Sequence, residues 1–367
     1  MARYENGALP RPVWLVCQTG IRLASGFSRG FYGQHNVSII LQTPLTGNAA
    51  WRGEDLAGDT SWIHHLSADS IRALDAALAH VKSLGLSFPD FEQEHFPLPE
   101  ALRAELAKQA DALENGLGFI VLRGLPVERY TEDEIHTLYY GVGLHLGQPV
   151  RQNPRGDVLG LVMNVGDKSQ KTTRVYETNN YLPYHTDPSD VVGLLCVRKA
   201  KEGGLSSLVS VGAVYNEILR THPELLALYY RQWYCAHLCE QGTEPGLTPI
   251  FSYHQGKLTC RYLRQYLELG HEMKNLPLTP VEVQALDVFD QAMYAPGLRL
   301  DMMLEPGDMQ FANNYAVLHS RNGFEDHDEP AQRRKLLRLW LKMPNARELA
   351  PEFPGRNGFP KQVAVAA

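Results

Sequence analysis

The sequence predicts a mainly β protein with flanking helices, a helix-decorated barrel or sandwich folded as one domain. Three observations point there. Helical periodicity with capping signals runs from Ser67 to about His145. From Val158 onward the chain breaks into short β-rich runs separated by turn residues. No internal repeat or low-complexity linker divides the 367 residues, a length that suits one large domain or two small ones.

Composition narrows the function classes. The chain is 44% hydrophobic and 21% charged, ordinary for a soluble globular protein. Its net charge of −6 argues against a nucleic-acid surface, which is normally basic. No window approaches the roughly 18 apolar residues of a membrane span, so no membrane partner is expected. The five cysteines, Cys17, Cys196, Cys235, Cys239 and Cys260, are odd in number and scattered. They read as free thiols of a reducing compartment, which places the protein in the cytoplasm. Cys235-Ala-His237-Leu-Cys239 looks briefly like a metal cluster, but no second Cys/His pair at zinc-site spacing accompanies it.

The elements follow in order. Between Met1 and Gly53 the only acid is Glu5, against Arg3, Arg11, Arg22, Arg29 and Arg52. Residues 1–50 therefore read as an atypical, poorly ordered extension, with mitochondrial targeting as the alternative. Order is expected from Trp51. Ser67 caps a helix with Ile71, Leu74, Leu78 and Val81 on one face, stopped by Gly85. Pro99 opens a second helix that ends near Gly116. Gly118 to Arg123 is a buried strand, and Thr131 with Glu134 forms a capping box for a third helix. Strands are expected at Leu159–Asn164, Tyr181–Asp187, Val191–Arg198 and Leu205–Val211, then helix from Ala213 to Arg231. Strands at Ile250–Tyr253 and Lys257–Tyr262 precede a helix that the Thr279/Glu282 capping box opens and that runs to about Tyr294. Leu298–Leu304, Met309–Phe311 and Arg334–Lys342 complete the strands, and residues 346–367 form a tail.

The chemistry gathers at Tyr184-His185-Thr186-Asp187. On an extended strand, i and i+2 point to the same face. His185 and Asp187 then supply two of the three ligands of a 2-His-1-carboxylate site for iron(II). His222-Pro223-Glu224 competes by composition, but lies in a segment that reads as helix, where i and i+2 diverge. A turn, a short strand and an Asn-rich loop from Pro306 deliver His319. After it, Arg334, Leu336, Arg338 and Trp340 share one face of a hydrophobic strand, where arginines are costly unless they meet anions. A guanidinium grips a carboxylate as a bidentate fork. Gly203-Gly204-Leu205-Ser206 adds a hydroxyl at the start of a strand. Each piece alone has a structural reading: a loop cap for His319, a solvated edge for Arg333 to Arg338, a plain turn for the glycines.

Together and in this order, these pieces resemble the taurine dioxygenase (TauD/TfdA) family of iron(II)- and 2-oxoglutarate-dependent oxygenases. The resemblance runs from about Trp51 to about Met343. It implies a double-stranded β-helix, or jelly roll, with His185, Asp187 and His319 as iron ligands. It implies that Arg334, helped by Ser206, pairs with the far carboxylate of 2-oxoglutarate, and that Arg338 faces the substrate or the cosubstrate's surroundings. Ser206 stands where many members carry Thr. The separation of 15 residues between His319 and Arg334 (334 − 319) leaves Arg333 as a competitor, although alternation with Arg338 favours Arg334.

The implied reaction consumes dioxygen and 2-oxoglutarate, releases succinate and carbon dioxide, and hydroxylates a C–H bond. The substrate implied is a small polar or acidic molecule: an amino acid, carboxylate or sulfonate. Asp187 argues against halogenation, whose enzymes lose that acid. Desaturation, cyclisation or epimerisation of a secondary metabolite uses the same cofactors. A non-catalytic metal- or anion-binding barrel and a zinc hydrolase are the other readings; the hydrolase has no need of Arg334 or Ser206. Tyr176 to Tyr181, and Asn313 with Asn314, either line the pocket mouth or hold loops. Family habit implies a homo-oligomer.

Overall fold

Local signals set the early elements. The computed structural model describes residues 38–164, 178–236, 244–355 and 357–358. Strand β1, Ile63–His65, leads into helix α1, Ala68–Ser83. Ser67 caps α1 by accepting the Ser70 N–H at 3.0 Å. Helix α2, Glu100–Asn115, precedes β2, Phe119–Arg123, and α3, Glu132–Leu146, carries the Thr131/Glu134 capping box. Strands β3, Gln148–Pro149, β4, Leu159–Val162, β5, Leu182–His185, β6, Val191–Arg198, β7, Glu202–Gly203, and β8, Ser206–Ser210, follow.

The single helix expected from Ala213 to Arg231 is broken. Helix α4, Val211–Thr221, stops at His222, whose backbone leaves the helical region at φ −141° and ψ 55°. Pro223 disfavours helical geometry in the residue before it, then opens a 3-10 turn that leads to α5, Leu226–Tyr230. The hairpin of β9, Trp233–Cys235, and β10, Gly246–Thr248, was not expected; its strands are too short to show a period. Strands β11, Phe251–His254, and β12, Lys257–Cys260, come next. Helix α6, Arg264–Met273, was also not expected: Leu263 at its N-cap offers no capping side chain. Helix α7, Pro280–Met293, β13, Leu300–Met302, β14, Met309–Asn313, β15, Val317–Arg321, β16, Phe324–Glu325, and β17, Lys335–Lys342, complete the chain.

Two sheets dominate. The larger has the order β1-β2-β14-β6-β17-β3, with β4 also on β17; the smaller has the order β13-β8-β15-β5. Alternation assigns their faces. Along β17, Leu337, Leu339 and Leu341 join a core shared with α1, α2 and α3. Leu336 and Trp340 point the other way, into a second core. That core also holds Val192, Ala312, Leu208 and Val317, so both sheets contribute to it. On the smaller sheet, Val209 and Leu318 face a third core built with α4, α5 and α7. The protein is thus mainly sheet, with helices covering the outer faces. Residues of even number on β17, and Val317, His319 and Arg321 on β15, face the space between the sheets.

Chain on either side of residues 51–345 is also packed. Chain placed in the extension already packs: Leu45 N–H donates to Asn216 Oδ1 at 2.8 Å, and Asn216 Nδ2 donates back to the Leu45 carbonyl at 2.8 Å. The expected tail also packs, with Arg347 Nε on Glu114 Oε1 at 3.0 Å and Phe353 buried against Tyr315. The described residues fall in one compact unit, Asn36–Ala367. Among them no helix is long and apolar enough to cross a membrane. Cys196 and Cys260 are free thiols. Cys17, Cys239, His237, Tyr176 and most of the basic N-terminal stretch lie outside the described residues.

Candidate metal and cosubstrate site

The site begins with strand register. β15 pairs antiparallel with β5, and His319 stands directly across from His185. Their rings lie 4.2 Å apart between centroids. Asp187 is not on the strand, as the i, i+2 argument required, because β5 ends at His185. Irregular backbone just past the strand holds it instead. Thr186 N–H donates to the Tyr262 carbonyl at 2.9 Å, and Asp187 N–H donates to Asn314 Oδ1 at 2.9 Å. Asn314 Nδ2 in turn donates to the Ser189 carbonyl at 3.0 Å. Asn314 therefore serves the segment that carries Asp187, while Asn313 Nδ2 donates to the Leu113 carbonyl at 2.9 Å.

His185, Asp187 and His319 offer one ligand atom each, all within 4.8 Å of one another, and among the described residues no other such cluster occurs. His319 Nε2 lies 3.7 Å from Asp187 Oδ2, and His185 Nε2 lies 4.0 Å from Asp187 Oδ1. A hydrogen bond of 2.8 Å joins His185 Nδ1 to the Pro183 carbonyl, which can only accept. The proton is therefore on Nδ1, and the Nε2 lone pair is left for a metal. Burial pushes both imidazoles toward the neutral form. His319 falls to about 3, through burial first and then the neighbouring His185. His185 is lowered chiefly by burial. Burial alone would raise Asp187, but Arg338, the two histidines and the Trp340 hydrogen bond hold it below its ordinary value. Two neutral imidazoles and an ionised carboxylate fit ferrous iron.

The larger sheet supports the carboxylate. Trp340 Nε1–H donates to Asp187 Oδ2 at 3.0 Å. Arg338 Nη1 lies 3.9 Å from Asp187 Oδ1, while its Nε donates to Gln152 Oε1 at 2.8 Å. Gln152 Nε2 donates to the Arg338 carbonyl at 2.7 Å, so one amide fixes both ends of this residue. Gly160 on β4 faces Arg338 in register. A Cβ there would lie 2.6 Å from Gln152 Oε1, so the missing side chain makes room for the pair.

Arg334 immediately precedes β17 and is 6% exposed. Its backbone N–H donates to Asp326 Oδ1 at 2.7 Å, and its Nη1 has no partner. Burial lowers it to about 10. Arg333 is less buried and reaches the Asp328 carbonyl at 3.5 Å. Ser206 Oγ donates to Gln310 Oε1 at 2.9 Å. Gly203 and Gly204 both have φ +76°, the left-handed region that favours glycine. A Cβ on Gly204 would sit 3.3 Å from Arg334 Nε. Two turn glycines therefore let the backbone run close under this guanidinium.

Sequence reasoning did not single out Gln152, Gln310, Phe324, Asp326 or Arg321. Arg321 carried a readable signal, since it stands at i+2 from His319 and shares its strand face.

Comparison with known proteins follows this geometry. The profile of the family described as "Taurine catabolism dioxygenase TauD, TfdA family" matches residues 80–340. The chain is 34% identical over 319 residues to FR-33289 synthase of Streptomyces rubellomurinus, covering 84% of this chain and 93% of that protein. It is 28% identical over 313 residues to the taurine hydroxylase-like protein SAT17 of Stachybotrys chartarum, covering 82% and 80%. A solved asparagine oxygenase, in complex with Fe(II), hydroxyasparagine and succinate, superposes with TM-score 0.63 at 18% identity, covering 77% of this chain and 93% of that one. The oxygenase OrfP, in complex with Fe and alpha-ketoglutaric acid, superposes with TM-score 0.57 at 15% identity, covering 76% and 94%. At those identities the two structures speak for the fold.

Proposed function

The chain belongs to the TauD/TfdA family of iron(II)- and 2-oxoglutarate-dependent dioxygenases, and on that premise we propose that His185, Asp187 and His319 hold its iron and that Arg334 and Ser206 receive the far carboxylate of 2-oxoglutarate. The observation that carries this is the clustering of two imidazoles and a carboxylate, one ligand atom each within 4.8 Å of one another, in a largely buried setting. The two facing sheets are then the halves of a double-stranded β-helix, with the domain spanning about 51–345.

Iron and 2-oxoglutarate, when bound, supply an oxidant made from dioxygen, with succinate and carbon dioxide as coproducts. The residues position that chemistry. The hydrogen bond to Pro183 fixes the His185 ring. Trp340 and the side-chain Oδ1 of Asn314 fix Asp187 at its carboxylate and its backbone N–H. Arg338 balances the Asp187 charge at the edge of the cosubstrate site. Burial of both histidines keeps bulk water off the reacting centre.

The reaction proposed is hydroxylation of a small polar molecule with an acid group: an amino acid, carboxylate or sulfonate. Two things support this class. Family relatives include a taurine hydroxylase-like protein, and the fold is shared with an oxygenase captured with hydroxyasparagine. Gain of one oxygen atom in the product separates hydroxylation from desaturation or ring closure.

The test needs no substrate. Ferrous iron and 2-oxoglutarate are added anaerobically to metal-free protein, and the visible metal-to-ligand charge-transfer band is recorded. The band is expected in the wild-type chain and absent from His319→Ala. Iron binding without any band would overturn the cosubstrate site and favour a metal-binding barrel.

A further inference from the structure

Arg321 is a buried cation that none of the roles above uses. It is 5% exposed and shares its strand face with His319. One of its nitrogens is satisfied: Nη2 donates to the carbonyls of Thr178, at 3.1 Å, and Asn180. Its Nε and Nη1 are buried with no partner. Arg334 Nη1 is likewise buried with none. Both guanidiniums lie over one ring, with Arg321 at 4.7 Å and Arg334 at 5.1 Å from the Phe324 centroid.

The Arg334 charge acts against that of Arg321 in this dry setting, and buried N–H groups lose water without compensation. The acid nearby is Asp326. Its Oδ1 accepts the Arg334 backbone N–H, its Oδ2 has no partner, and it forms no ion pair with either guanidinium. Among the described residues, two guanidiniums and one carboxylate leave one positive charge. A single additional carboxylate balances it and offers acceptors to the orphaned N–H groups. Ser206, directly across from Arg321 in the β8–β15 register, puts a hydroxyl at the same place.

We propose that Arg321 and Arg334 form a two-arginine seat around Phe324 for the far carboxylate of 2-oxoglutarate, so that Arg321 is a second binding residue for the cosubstrate. This rests on the cosubstrate site proposed above. Arg321 also ties down the backbone at Thr178 and Asn180 through its remaining nitrogen. The same side chain thus joins the seat to the segment that enters β5 and ends at His185.

The test compares 2-oxoglutarate with 2-oxopentanoate, which carries a methyl in place of the far carboxylate. Dissociation constants for both are read from the anaerobic charge-transfer band in wild type, Arg321→Met and Arg334→Met. Arg321→Met is expected to weaken 2-oxoglutarate by about tenfold to a hundredfold, the loss of one or two charge-assisted hydrogen bonds, and to leave 2-oxopentanoate unchanged. Equal weakening of both acids would assign Arg321 to the loop tether alone and overturn the seat. So would an unchanged constant for 2-oxoglutarate. If Arg321→Met does not fold, Arg321→Lys keeps a cation that reaches the carbonyls but lacks the fork. It is expected to lose about fivefold for 2-oxoglutarate alone, and a wild-type ratio between the two acids overturns the proposal. Binding lost in Arg334→Met and kept in Arg321→Met sinks only the pairing. No 2-oxoglutarate binding by the wild-type chain sinks the cosubstrate site itself.

Discussion

Asp187 is held by three groups, one from the β14–β15 connection and two from β17, and each hold has a separate consequence. Its backbone is fixed by Asn314, one carboxylate oxygen by Trp340, and its charge by Arg338. The Trp340 bond is the one a conservative change removes. Trp340→Phe keeps an aromatic ring in the inter-sheet core and deletes the N–H. A partner outside the ligand set typically contributes about tenfold to a hundredfold in metal affinity. The expected result is weaker ferrous binding, read by anaerobic titration, with an unchanged circular dichroism spectrum. Unaltered affinity would show that Asn314 and Arg338 suffice to aim the carboxylate. Gln152→Leu acts one residue further out. It removes the Gln152 Oε1 acceptor from the buried Arg338 Nε and is expected to cost about 1–3 kcal/mol, measurable as lower stability in urea. A variant as stable as wild type would mean that the guanidinium finds another acceptor.

At the scale of elements, the decisive event is pairing. β5 and β15 are far apart in the chain, yet their register sets His185 against His319. The β7–β8 turn does a similar service for Arg334, through Gly204 at φ +76°. Gly204→Ala places a Cβ 3.3 Å from Arg334 Nε in a conformation side chains rarely adopt. The expected cost is about 1–2 kcal/mol of stability, together with weaker 2-oxoglutarate binding; normal binding would separate the turn from the cosubstrate site. Such features explain what was legible. Ser67, Thr131 and Thr279 are local signals, and the helices they cap could be read from the sequence. α6 has no capping side chain, and β9 and β10 are three residues each, so nothing local announced them. The break at His222 was announced by Pro223, a signal outweighed by the helical texture on either side. The period of two expected over Arg334–Lys342 put Arg334 and Arg338 on one face, although β17 begins only at Lys335. It did not reveal Gln152 or Asp326, because long-range partners leave no periodic trace. The Asp187 argument placed both residues on one strand, whereas β5 ends at His185 and Asp187 lies two residues beyond it.

Across the whole molecule, alternation along one strand separates stability from chemistry. Odd residues of β17, Leu337, Leu339 and Leu341, lie in the core shared with α1, α2 and α3. Even residues, Arg338 and Trp340, face the Asp187 carboxylate. Neighbouring side chains on this strand are therefore joined to different systems. Leu339 is fully buried, and a Cβ on Gly143 of α3 would lie 2.3 Å from its Cδ2, so helix and sheet meet there without slack. Leu339→Ala leaves a cavity that close packing keeps from collapsing, at a cost of about 2–5 kcal/mol. That loss is expected in the urea midpoint, while the ferrous dissociation constant of the folded protein stays at its wild-type value. Trp340→Phe is expected to show the reverse pattern, with stability nearly kept and iron affinity reduced. If Leu339→Ala weakened iron binding as much as Trp340→Phe, the two faces of the sheet would be mechanically coupled. The site would then depend on helix packing as well as on the strand that carries it.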